Sequence, residues 1–182
     1  SCRKYFIIAS TKIIMTTHPI STTDLFASLD ETWNELTGLV SSTNSKSINA
    51  VPFENSWTAA QLATHVIKSN NAIAQGMEME GKPAERAPDA GEPNLKKMFL
   101  DFEAKYKSPE FIVPEEKNYD KDEVVKDLNN SIDKLKAARN KVDLVEIIAL
   151  PIFGEVTKLE LLYFVLYHTQ RHVHQLKKIL HP

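Results

Sequence analysis

Cysteine is almost missing from this chain. The single residue, Cys2, excludes an intrachain disulfide and any thiolate-rich zinc site, and it favours a reducing, cytoplasmic setting. Glycine is nearly as scarce, with 5 residues in 182, which speaks against an all-β fold full of tight turns. No apolar run reaches the roughly 18 residues of a membrane-spanning helix, so no membrane partner is expected. Lysine plus arginine is 22 against 24 for aspartate plus glutamate, a net charge of -2 without any basic block. That pattern lacks the electrostatic footprint of a nucleic-acid binder.

What remains is an ordinary globular composition, 42% apolar and 25% charged, long enough for one domain with a real core. The first fourteen residues, "SCRKYFIIASTKII", stand apart. A basic start and an apolar stretch look like a signal peptide, but Lys12 interrupts the stretch and no clear small-residue cleavage site follows. Residues 1–14 are therefore expected to be an N-terminal extension or a cloning remnant, and residues 15–182 a single helical domain.

Five helical patterns follow, separated by loops that carry most of the prolines. The first, about 21–43, places Leu25, Phe26, Leu29, Trp33, Leu36 and Val40 on one face. The second opens after Trp57 with a capping box, Thr58 and Gln61, and continues to about residue 78 through Leu62, Val66, Ile73 and Met77. A shorter helix is predicted over about 94–107, gathering Leu95, Met98, Phe99, Phe102 and Tyr106. The fourth, about 121–141, is strongly amphipathic, with Val124, Val125, Leu128, Ile132 and Leu135 in one stripe. After "ALPIFGEV" a second capping box, Thr157 and Glu160, opens a last helix over about 158–180. Four long helices and one short one predict an all-α bundle.

The last helix contains "YHTQRHVHQLKKI". Residues four apart on a helix lie about 40° from one another, so His168 and His172 share a face with Leu161, Phe164, Val165, Gln175 and Ile179. His174 is turned roughly 200° from His172 and cannot serve the same ion. It falls with Tyr163, Tyr167 and Arg171 on a flanking polar stripe. A pair spaced H-x3-H also arises from composition alone, and buried histidines are often hydrogen-bonded core residues. The zinc-protease reading fails, because that chemistry needs a glutamate after the first histidine and Thr169 stands there. A third ligand is needed, and His65 on the apolar face of the second helix qualifies. If the two helices pack antiparallel, the three imidazoles reach nearly the same level. His18 and His181 have no convincing partner.

"WTAAQLATH" at residues 57–65 and "HTQRHVHQL" at 168–176 together resemble the motifs of the DinB-like (YfiT-like) metalloenzyme superfamily. The resemblance spans about residues 20–180. It implies a four-helix bundle in up-down-down-up order, with the short helix as an addition. It also implies three metal ligands, carried over onto His65, His168 and His172, with Trp57 as packing and Gln175 as packing or a second-layer partner.

Relatives in that family include bacillithiol S-transferases, mycothiol-dependent isomerases and proteins described as metal-dependent hydrolases. The resemblance thus implies one divalent ion, zinc, nickel or iron, acting on a small molecule that can be a thiol. Three neutral imidazoles leave positions for water or a thiolate, whose pKa falls towards ~7 for water on zinc. Affinity for the ion should decline as pH drops through ~6.5, the histidine range. The alternative is a non-catalytic bundle with a structural ion, acting as an interaction module. A second apolar stripe on the last helix, Leu162, Leu166 and Val173, needs cover from the short helix, the N-terminal extension or a second subunit. Family analogy points to a homodimer.

Overall fold

A computed structural model describes residues 21–181. The expected boundary between residues 14 and 15, and His18, lie outside them. Five helices run α1 (Thr22–Ser42), α2 (Ala59–Met77), α3 (Glu92–Leu100), α4 (Lys121–Lys141) and α5 (Lys158–Leu180). Four of them start where the sequence supplies an oxygen for an orphaned helix N–H. Ser21 accepts from the Asp24 amide, Asp120 from Glu123, and Thr58 and Thr157 sit in complete capping boxes with Gln61 and Glu160. In α4 the first turn is acidic (Asp122, Glu123) and the last basic (Arg139, Lys141), which suits the helix dipole.

Pairs of touching residues fix the helix directions. Asn70 with Ser131, Asn71 with Lys134 and Glu78 with Lys141 advance together, so α2 and α4 are parallel. Phe26 against Arg139 and Trp33 against Lys136 run oppositely, which makes α1 antiparallel to α4. Gly76, near the end of α2, faces Leu150 shortly before α5 starts, whereas His65, early in α2, meets His168 and His172 further along α5, so these helices are antiparallel. The order is up-down-down-up. Leu25, Leu29, Trp33, Leu36, Leu62, Val66, Leu128, Leu135 and Leu161 are buried in one shared core. Leu162, Leu166 and Val173 are also buried within the single chain, with α5 lying between α1, α2 and α3. The second apolar stripe therefore has its cover already.

The secondary structure departs from the sequence-based expectation in two places. A small antiparallel sheet, absent from that reading, forms from β1 (Lys82–Pro83), β2 (Glu146–Leu150) and β3 (Gly154–Thr157), with Ile147 opposite Thr157 and Leu150 opposite Gly154. It closes the end of the bundle where α2 stops and α5 begins. Glu160 fastens this end: its carboxylate accepts from Arg86 at 2.6 Å twice, from the Gly91 amide at 2.6 Å and from the Thr157 amide at 2.9 Å. A Cβ on Gly91 would lie 2.7 Å from that carboxylate, so a larger residue there would push Glu160 out of its present bonds.

The second departure is α3, which starts at Glu92 and ends at Leu100, not near residue 107. Asp101 leaves the helical conformation and its carboxylate accepts the Glu103 and Ala104 amides, a local turn that competes with the helix. Arg171 on α5 then donates to the carbonyls of Phe99, Asp101 and Ala104. Leu95 and Phe99 pack on the core, whereas Met98, Phe102 and Tyr106 are exposed.

Candidate metal centre

The antiparallel pairing of α2 and α5 brings His65, His168 and His172 together away from the sheet. All three are nearly inaccessible, at 2%, 6% and 5% exposure. The Nε2 atom of His168 lies 3.2 Å from that of His65 and 2.9 Å from that of His172. One ligand nitrogen from each ring lies within 4.8 Å of the others. Among the described residues no aspartate or glutamate joins the group.

Hydrogen bonds behind the rings decide which nitrogens face inward with lone pairs. His65 Nδ1 donates to the Ile112 carbonyl at 3.0 Å, because a carbonyl can only accept. His172 Nδ1 donates to Gln175 Oε1 at 2.7 Å. In their neutral forms both residues therefore point a bare Nε2 at His168. One N–H on His168 can satisfy only one of them, so at least one inward lone pair has no proton to meet.

Extra protons do not resolve this conflict. Burial pushes His172 down to about 3, with the neighbouring His65 adding to the effect. His168 falls well below the usual histidine range, first by burial and then through His172. Burial lowers His65 as well, opposed by its bond to Ile112. Three converging neutral imidazoles, held by outer partners as metal-ligating histidines usually are, fit a divalent cation.

The walls are aromatic. Trp57 lies 5.0 Å from the His65 ring, while Phe164 and Phe99 lie 4.9 Å and 5.8 Å from that of His168. His174 is not in the group; its half-buried ring stacks on Phe102 at 4.2 Å. The flanking stripe expected to be polar is packed: Tyr163, Tyr167 and Arg171 are buried, and the Tyr167 hydroxyl donates to Glu92. His181 is exposed and apart from the cluster. The backbone carbonyl of Ile112 escaped the sequence reading, since nothing in its local pattern announces a contact with α2. A cavity of about 360 Å³ opens beside α2, but none of the three histidines lines it.

An up-down-down-up bundle carrying a buried triad of imidazoles defines a helical protein able to hold a metal ion in its core. The family follows from comparison: the model of the DinB superfamily matches residues 28–176, and the chain belongs to that superfamily. It is similar to the uncharacterized protein YuaE of Bacillus subtilis (strain 168), 29% identical over 160 residues that cover 82% of this chain and 90% of that one. The crystal structure of TT2238, a four-helix bundle protein, superposes with a TM-score of 0.56 at 19% identity, covering 86% of this chain and 98% of the other. That likeness concerns the fold.

Proposed function

We propose that the protein is a metal-dependent enzyme acting on a small molecule, of the hydrolase or thiol S-transferase type. The observation that carries this reading is the convergence of three neutral imidazoles, joined by no carboxylate among the described residues. Three protein ligands are the usual number at catalytic zinc, whereas structural zinc is normally saturated by four. When bound, the ion supplies Lewis acidity, lowering the pKa of a water or thiol that ligates it. His65, His168 and His172 would hold it, Ile112 and Gln175 would orient two of them, and the aromatic walls would exclude bulk water. Zinc, nickel and iron all suit imidazole donors, so availability selects among them. The near-complete burial of the triad favours a second reading, a structural ion in a non-catalytic bundle.

Elemental analysis followed by a screen of thiol conjugation and ester hydrolysis, with metal loaded and stripped, separates the two. Turnover is expected only in the loaded protein. Equal rates in both preparations would exclude the metal-dependent mechanism.

A homodimer rests on the family resemblance alone, because the stripe that motivated it is covered inside one chain. A dimer mass in light scattering at micromolar concentration is expected, and a monomer mass would remove it. A cytoplasmic setting agrees with the single cysteine.

A further inference from the structure

Two side chains one turn apart on α2 grip successive carbonyls of the same segment. His65 Nδ1 donates to Ile112, and Lys68 Nζ donates to Val113 at 2.9 Å. Lys68 also pairs with the Glu115 carboxylate at 2.7 Å. The segment lies between α3 and α4 and contains a single 3-10 turn, Glu110–Ile112. Its apolar hold on the bundle is limited to Ile112 and Pro114, which are buried, while Phe111 and Val113 are 60% and 39% exposed. Alongside those two anchors, polar ties fix the register of the Ile112 carbonyl, and two of the ties belong to Lys68.

We propose that Lys68 is a positioning residue for the metal centre, acting through the segment 112–115 on His65. The proposal rests on the metal-binding reading above. The Ile112 carbonyl holds the proton of His65 on Nδ1 and leaves Nε2 bare towards His168 and His172. If that carbonyl drifts, the buried Nδ1–H loses its acceptor, and the tautomer with hydrogen on Nε2 becomes competitive. That tautomer has no lone pair on Nε2 to offer an ion. Lys68 keeps the carbonyl in place by fixing the next one along the chain. Its side chain reaches the segment from the same helix as His65, so the spacing of the two grips is set by α2 itself.

The test titrates zinc against a chelator in the wild type and in Lys68→Met, Lys68→Arg and Lys82→Met, with folding followed by circular dichroism. Removing an outer partner of a metal-ligating histidine weakens affinity roughly 10- to 100-fold, and Lys68 acts one bond further out, so a loss of about tenfold is expected for Lys68→Met. Lys68→Arg, which keeps the donors, should recover most of it. Lys82→Met removes an exposed pair with Glu155 at the sheet end and should bind as the wild type does. Nitrogen-15 spectra of the His65 ring in the metal-free protein give an independent readout. They should show Nδ1 protonated in the wild type and a mixture of tautomers in Lys68→Met. Wild-type affinity and an unchanged His65 spectrum in Lys68→Met would overturn the proposal. Should Lys68→Met fail to fold, Glu115→Gln carries the same readouts, with a smaller loss expected and no loss overturning the coupling. If the wild type takes up no metal yet Lys68→Met still shifts the His65 tautomer, the metal reading falls while the coupling stands.

Discussion

Alanine at His65, His168 or His172 is expected to remove tight zinc binding, and alanine at His174 to leave it intact. Each of the three supplies one of only three inward nitrogens, and no carboxylate among the described residues stands ready to replace it. Two imidazoles four residues apart on α5 make a poor site alone. The loss should exceed the roughly 10- to 100-fold that outer partners cost. His174 differs in kind: its ring stacks on Phe102 outside the cluster, so its removal touches stability by about 0.5–1.5 kcal/mol rather than affinity. Competition titrations on the four single variants, with denaturation curves in parallel, read both effects. Loss of zinc in His174→Ala with retention in His65→Ala would contradict the assignment of ligands.

The contrast between His172 and His174 was legible because helical phase is a local property. A turn of about 100° per residue separates them before any tertiary contact is known. The helix starts were legible for the same reason, since each capping box lies within four residues of sequence. His65 is intermediate: its place on an apolar face is local, but its partnership with α5 needed the antiparallel arrangement that the family resemblance implied. Long-range features were not legible. Ile147 and Ile148 are both buried, so β2 lacks the alternation that marks a strand. The β1 strand is two residues long and contains a proline. The end of α3 combines the local turn at Asp101 with Arg171, some seventy residues away, which takes the carbonyls of Phe99, Asp101 and Ala104. Leu162, Leu166 and Val173 carried a correct signal of burial on a second face, but apolar pattern does not say whose surface covers it.

The metal-free protein is expected to lose stability as pH falls below about 6.5, well before its carboxylates are titrated. The sign follows from the direction of the shifts. His168 and His172 are depressed from 6.5, His172 to about 3, and His65 is lowered too, so the unfolded chain binds protons at these positions more readily than the folded one. Above the unfolded value all are neutral in both states and stability does not change. Below it, each group still neutral in the fold costs up to about 1.4 kcal/mol per pH unit, until pH passes its folded value. Asp30 and Glu160, lowered from 3.8 and 4.5, add their share only beneath those values. The interval from about 6.5 to 4.5 thus belongs to the triad. The same depression moves the acid limit of metal binding below the range expected for free imidazole, because protons compete weakly for rings that burial keeps neutral. Urea unfolding in the presence of a chelator, repeated across that interval, measures the slope. His172→Gln should reduce it by about 1.4 kcal/mol per pH unit, the share of one proton. A wild-type profile that stays flat down to pH 4.5 would mean that these histidines accept protons in the folded state, against the burial that encloses them.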